Sequence, residues 1–300
     1  MHDIVIAGGG PAGLTAAVYA LRSGHSAVVL ERLGTGGQAA TAYEIDNYPG
    51  FKTQPGYELA AAMEEHVRSV GAEIAYEEIT NFEFEGGIKR TVTKKGVYES
   101  KAIILAMGAE RKKLGVPGEN EFIGKGVSYC ATCDGAFYRK KVVAVIGGGD
   151  TAVGDAIYLS NLCDEVYIIH RRDEFRASKF LQQQLLGIKN IKVVYDTVVE
   201  GIIGEKTVEK LSLKDVRTGE KDTLPVAGAF IAVGTEPRTG LVRDKLKLDD
   251  FGYIVAPESC KTEIRGIYAA GDIRAKELRQ IVTAAADGAN AVHSSLEIFG

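Results

Sequence analysis

Cys130-Ala131-Thr132-Cys133-Asp134 is the segment whose residue types and spacing most directly suggest chemistry. C-x-x-C admits three readings: half of a zinc site, a redox pair, or a chance arrangement. A Cys₄ zinc site needs two such pairs. The other two cysteines, Cys163 and Cys260, are single and far apart, so the spacing favours a redox pair. A disulfide-forming pair needs close spacing and a depressed thiol pKa. Asp134, next to Cys133, is placed to move the proton that thiol–disulfide exchange requires. Cys163, in or just after a helix, and Cys260, in a loop, are expected to be small buried hydrophobes.

Two glycine turns form the next group. Gly8-Gly9-Gly10-Pro11-Ala12-Gly13 matches G-x-G-x-x-G. In that pattern the first glycine makes the turn, the second lets backbone approach a pyrophosphate, and the third lets helix and strand pack closely. The phosphates would lie on the helix N-terminus, where N–H groups and the dipole favour an anion. Glu31 follows about 20 residues later, the position of a carboxylate that accepts from a ribose. The second turn is Gly147-x-Gly149-x-x-Ala152, with Asp150 just after it and Thr151 opening the helix. No carboxylate stands in Glu31's place there. His170, Arg171 and Arg172 do, and Arg176 follows. A carboxylate would repel a 2′-phosphate, whereas arginines hold one through charge-assisted bonds. The first turn therefore suits an adenosine with free ribose hydroxyls and the second suits NADPH.

These residues need strands and helices to position them. Asp3 to Ala7 reads as a strand, Pro11 opens a helical pattern through Leu14, Ala17, Val18 and Leu21, and Val28 to Leu30 reads as the next strand. Proline in the first turn of a helix is tolerated because its missing N–H would be unpaired anyway. The order is strand, glycine turn, helix, strand: the βαβ unit of a parallel sheet. The pattern repeats with a strand over 141–146, a helix over 151–161 and a strand over 166–169. Segments 73–97 and 198–216 read as β-meanders, each leading to a buried strand, at 103–108 and 230–234. The tail holds a strand-like run at 266–270 and a helix from about 280 to 299, without a nucleotide turn of its own. It reads as the return of the first domain.

The expected fold is α/β, with two Rossmann-like dinucleotide-binding domains, the second inserted in the first, each with a β-meander. The first takes residues 1–113 and 240–300, the second 114–239. The crossings fall where Pro117, Pro237 and glycines cluster. Three hundred residues suit two domains on the ~150-residue prior.

Composition narrows the function. The net charge is −4, from 36 basic and 40 acidic residues, which argues against nucleic acid as a partner. With 45% hydrophobic and 25% charged residues, the chain is an ordinary globular protein. No run approaches the ~18 apolar residues of a membrane span. No secretory leader pattern opens the sequence, so the cytoplasm is expected. The 36 glycines exceed the usual ~7%, and the nucleotide turns account for much of the excess. The remaining histidines, His2, His25, His66 and His293, show no metal-ligand spacing, and no metal site is expected.

Taken together, these motifs resemble the bacterial, low-molecular-weight, NADPH-dependent thioredoxin reductases along nearly the whole chain. Further matches are Gly36-Gly37-Gln38, Asp46-Asn47-Tyr48-Pro49-Gly50, Tyr268-Ala269-Ala270-Gly271-Asp272 and Arg279-Gln280. The resemblance implies FAD in the first domain. Gly8, Gly10, Pro11, Ala12 and Gly13 would hold the pyrophosphate and Glu31 the adenosine ribose. Gln38, Asn47, Asp272 and Gln280 would lie near the ribitol and isoalloxazine, and Gly37, Gly271 and Arg279 would also belong to the cofactor site. Gly149, Asp150, Thr151, His170, Arg171, Arg172 and Arg176 would hold NADPH. Cys133 would face the flavin, Cys130 would attack a partner's disulfide, and Asp134 would be the acid–base group. The resemblance also implies a homodimer, a thioredoxin-like partner and a domain rotation during turnover.

The chain departs from the resemblance at two places. Ala106-Met107-Gly108 stands where relatives often read Ala-Thr-Gly. Gly154 stands where they often carry glutamate, at up to ~1 kcal/mol of helix stability. Two other functions remain open. One is a flavoprotein of the same fold that reduces another acceptor, such as ferredoxin, a quinone or oxygen; the cysteine pair counts against it. The other is a flavin redox sensor without turnover; the arginine cluster counts against that.

Overall fold

The computed structural model describes residues 1–42, 45 and 47–300. The chain divides into two compact units, Met1–Glu110 with Glu236–Gly300, and Arg111–Thr235.

The first unit is built on a parallel sheet. Strand His2–Ala7 lies between Ala27–Glu31 and Val97–Leu105, parallel to both. Glu73–Tyr76 extends the sheet beyond Ala27–Glu31, and Ile267–Ala269 pairs with Val97–Leu105. Alternation along the strands explains its burial on both faces. Ile4, Ile6, Val29 and Ile104 face a layer formed by helix Pro11–Arg22 and the C-terminal helix Ile281–Ser295. Val5, Ala7, Val28, Leu30, Ile103 and Leu105 face the opposite core with Phe82, Phe84, Val242 and Ile254. The tail therefore returns to the first unit.

The segment read as the first meander divides in two. Glu73–Tyr76 is a parallel edge strand rather than a meander strand. The antiparallel part is Ile79–Glu83, Lys89–Thr93 and the start of Val97–Leu105. The long last strand is both meander and buried core strand, which sequence alternation alone treated as two elements.

The second unit repeats the plan. Val142–Gly147 lies between Glu165–Ile169 and Gly228–Ala232, all parallel, with Ile191–Val194 and the short Val127–Ser128 outside them. Helix Asp150–Ser160 covers one face through Ala152, Val153, Ala156 and Leu159. A three-stranded antiparallel sheet, Thr197–Gly204, Val208–Asp215 and Lys221–Pro225, supplies Val199, Ile202 and Leu211 to the other core. The meander read over 198–216 thus has a third strand, whose polar sequence hid it. The two chain crossings, Ala109–Arg111 and Thr235–Pro237, form a two-stranded sheet of their own. Among the described residues, no helix is long and apolar enough to cross a membrane.

Candidate active site

Cys130 and Cys133 are joined by a disulfide, with Cα atoms 5.3 Å apart. The strand Val127–Ser128 delivers the pair, and the one-turn helix Ala131–Asp134 carries it. Ser128 is buried, and its hydroxyl donates to Asp134 Oδ2 at 2.5 Å. The same hydroxyl accepts the Cys130 N–H at 3.1 Å. Tyr129, between Ser128 and the pair, donates its hydroxyl to Glu119 at 2.7 Å. Glu119 is itself buried and accepts the N–H groups of Leu114 and Gly115. Burial and that carboxylate push the Tyr129 phenol beyond the usual range.

The single cysteines have no such setting. Both are buried; Cys163 donates to the Tyr138 carbonyl and Cys260 to that of Asp287. Burial pushes the Cys163 thiol up to about 11 and the Cys260 thiol up to about 12. They are thiols at neutral pH, and thiols are poor nucleophiles.

The first glycine turn is tight for reasons of space. Gly8 has φ +110°, and a Cβ there would lie 2.4 Å from the Ala106 carbonyl oxygen. A Cβ on Gly13 would lie 1.9 Å from the Gly8 oxygen. Above the turn there is room, since a Cβ on Gly10 would meet nothing nearer than Gly37 Cα at 4.0 Å. Pro11 and Ala12 open the helix, whose first turn has no side-chain cap. Glu31 bends back across the turn and accepts Gly9 N–H at 2.8 Å and Leu33 N–H at 3.0 Å. Its carboxylate is therefore held in place at the strand end. Together these features fit an adenine dinucleotide: an open N-terminus for the pyrophosphate and a fixed acceptor for the ribose.

The other residues singled out in this unit gather nearby. Gly36 N–H donates to the Gly9 carbonyl at 2.7 Å, bringing Gly37 beside the turn. Gln38 donates its side-chain amide to the Ala109 carbonyl. Asn47 donates to Gln280 Oε1 at 3.2 Å. Gln280 in turn caps helix Ile281–Ser295 through a capping box with Thr283. Arg279 stacks over the Tyr253 ring at 3.9 Å. Asp272 lies 3.8 Å from the Lys276 ammonium. Asp46, part of the sequence match, lies outside the described residues.

Sequence reasoning missed the charges beneath Gly271 and Asp272. Buried Asp287 accepts Gly271 N–H at 2.9 Å, Arg274 Nη2 at 2.7 Å and Lys276 Nζ at 3.0 Å. It thus ties the whole turn to the C-terminal helix. The signal was an aspartate within the alanine-rich run 284–291, on a helix whose neighbours are apolar.

The second turn is organised differently. Gly149 caps helix Asp150–Ser160, and a Cβ there would meet nothing within 4 Å. The loop after strand Glu165–Ile169 folds over this turn. Arg176 N–H donates to the Gly148 carbonyl at 2.8 Å and Ser178 N–H to Asp150 Oδ1 at 2.6 Å. The Arg171, Arg172 and Arg176 side chains, like Thr151, remain exposed. His170 does not join them. It is buried, with its ring against Gly148 and its Nε2 donating to the Glu174 carbonyl at 3.0 Å. Burial holds its imidazole below the ordinary value, and the three arginine charges push the same way.

Sequence reasoning also passed over Asp155, on the same helix. Burial pushes its carboxyl up to about 7, against the pull of Arg111.

The family profile of the pyridine nucleotide-disulphide oxidoreductases matches residues 2–288. The chain belongs to that family. It is 45% identical over 295 residues to a thioredoxin reductase of Treponema pallidum (strain Nichols), covering 98% of this chain and 96% of that one. Among solved structures it is similar to a thioredoxin reductase from Streptococcus pyogenes MGAS5005, at 41% identity and a TM-score of 0.93, covering 100% of this chain and 98% of that one. A thioredoxin reductase from Giardia duodenalis has 34% identity and a TM-score of 0.94, with 99% and 98% covered. The Cys130–Cys133 disulfide fits the disulphide chemistry in that family's description, and the two glycine turns are suited to dinucleotides.

Proposed function

We propose that the protein is an NADPH-dependent, FAD-containing thioredoxin reductase. The observation that carries this reading is the Cys130–Cys133 disulfide, followed at once by Asp134, in a chain with two dinucleotide turns. The discontinuous unit would hold FAD, with Gly10 to Gly13 on its pyrophosphate and Glu31 on its adenosine ribose. Gln38, Asn47, Asp272 and Gln280 would hold its ribitol and isoalloxazine, with Arg279 beside Gln280. The inserted unit would hold NADPH on Gly149, Asp150 and Thr151, and Arg171, Arg172 and Arg176 would take its 2′-phosphate. A bound flavin supplies a two-electron relay between nicotinamide and disulfide.

The chain's own residues complete the reaction. Two electrons and two protons open the Cys130–Cys133 bond to two thiols. The Cys130 thiolate attacks one sulfur of the partner's disulfide, and the partner's other sulfur leaves as a thiolate. The Cys133 thiolate then displaces the partner from Cys130 and restores the internal disulfide. Asp134 moves the proton that each leaving thiolate needs. The partner is thioredoxin or a thioredoxin-like protein.

The cysteines and the NADPH residues share one unit, while the flavin residues lie in the other. The two must alternate at the flavin, by rotation at the crossings. The protein works as a homodimer. A reductase of this kind operates where thiols are kept reduced, which places it in the cytoplasm.

Purified protein is expected to be yellow and to be bleached by NADPH. Thioredoxin plus a disulfide dye should then sustain NADPH oxidation. Cys133→Ser keeps the bleaching and loses the dye reduction. A colourless protein that takes up no FAD overturns the reading. A disulfide engineered across the crossings should stop turnover and spare one half-reaction; normal turnover in the locked protein refutes the rotation.

A further inference from the structure

We infer that Ser128 is a positioning residue for Asp134, setting the orientation and proton affinity of the carboxylate that serves the cysteine pair. The inference rests on the proposed role of Asp134 and extends it to a residue with no chemistry of its own. Ser128 is 4% exposed and ends the short strand that enters the turn. Its hydroxyl has one proton, and that proton goes to Asp134 Oδ2 at 2.5 Å, the shortest of its contacts. The hydroxyl oxygen accepts Cys130 N–H at 3.1 Å. The Cys130 carbonyl, 3.3 Å away, is the alternative acceptor for the same proton. One buried side chain therefore links the backbone of the attacking cysteine to the acid–base group. The Asp134 N–H closes the same loop by donating to the Cys130 carbonyl at 3.1 Å.

A hydroxyl proton given to a carboxylate stabilises its charged form. With the donor removed, the carboxylate loses the bond that fixes its Oδ2, and its charge is no longer held in place beside the sulfurs. Other titratable groups belong to elements packed around the turn. Tyr138 is on the following turn and senses the Asp134 charge. Asp155 and Tyr158 are on helix Asp150–Ser160, packed against Ala131–Asp134. Glu119 and Tyr129 are on the strand side, with the Arg111 charge reaching Tyr129. Asp155 is the main competitor, since it titrates at about 7. The test must therefore separate action through Asp134 from action through Asp155.

The full-length protein is reduced, and alkylation of its cysteine pair by iodoacetamide is followed across pH. The variants are Ser128→Ala, Asp134→Asn, the double variant and Ser128→Thr. Ser128→Ala is expected to move the alkylation midpoint in the same direction as Asp134→Asn, by about one pH unit. The double variant is expected at the Asp134→Asn midpoint. Ser128→Thr, which keeps the hydroxyl, is expected at the wild-type midpoint. A wild-type midpoint for Ser128→Ala overturns the inference. So does a Ser128→Ala shift that persists on top of Asp134→Asn, because the effect then runs through Asp155 or the fold. A threonine variant shifted like alanine also overturns it. None of these arms uses thioredoxin or NADPH, so failure of the proposed reductase activity would show separately, in wild-type turnover.

Discussion

The two glycine turns begin from the same motif and are tied down in opposite ways. At the first, a side chain closes the turn: Glu31 reaches back from the next strand and takes Gly9 N–H. At the second, no side chain reaches back from the next strand; the loop after it donates Arg176 N–H to the Gly148 carbonyl and Ser178 N–H to the Asp150 carboxylate. In Glu31's place stands His170, which is turned inward under Gly148 instead of across the ligand face. The first arrangement fixes an acceptor and suits a cofactor that stays. The second anchors a loop by its backbone and leaves three guanidinium groups exposed, which suits a ligand that comes and goes. A charged acceptor and a charged donor cluster are thus two outcomes of one backbone plan.

The third position of each motif should break that symmetry most sharply. Gly13→Ala puts a Cβ 1.9 Å from the Gly8 carbonyl oxygen, and backbone cannot yield as a flexible side chain would. A loss on the order of 4 kcal/mol is expected, with purified protein lacking flavin absorbance. The matching position in the second turn already carries a methyl, so Ala152→Gly should cost only about 1–2 kcal/mol. Equal losses in thermal melts of the two variants would show that the turns are packed alike.

The ligand faces come next. Arg171→Ala with Arg176→Ala should raise the KM for NADPH about 10- to 100-fold and leave that for NADH nearly unchanged. Glu31→Gln should weaken flavin retention and spare the NADPH KM. If the arginine variant loses both nicotinamides equally, the exposed guanidiniums are not holding a 2′-phosphate.

A smaller effect follows from the buried histidine. His170 has its pKa lowered on folding, so between that value and the ordinary ~6.5 the unfolded chain binds more protons. Its contribution to stability is present above pH ~6.5 and is lost as the pH falls through the folded pKa. Melting temperatures from pH 7.5 to 5 should therefore fall less steeply in His170→Gln than in the wild type. The smallest effect is at Gly154, where a Cβ would meet nothing within 4 Å. Gly154→Ala should stabilise helix Asp150–Ser160 by about 0.5–1 kcal/mol, with turnover unaltered.

The sequence by itself determined the elements whose signals are local. Gly-x-Gly-x-x-Gly, Pro11 and the apolar strands on either side specify a βαβ unit without reference to the rest of the chain. The arginines after the second unit's second strand, and the close spacing of Cys130 and Cys133, are legible for the same reason. What only the tertiary structure decided depends on partners distant in the chain. It joined Asn47 to Gln280 and placed Asp287 beneath Gly271. Glu73–Tyr76 became a parallel edge strand, because its pairing partner is Ala27–Glu31 and its own alternation does not say so. The structure also separated His170 from the arginines beside it. His170 continues the buried run of Ile168 and Ile169 and packs under Gly148, while Arg171 and Arg172 lie in the bend that follows and stay in solvent. Ser128 is the sharpest case. A serine two residues before a cysteine carries no signal in the sequence, and its burial beside Asp134 arises only when the strand and the turn are folded together.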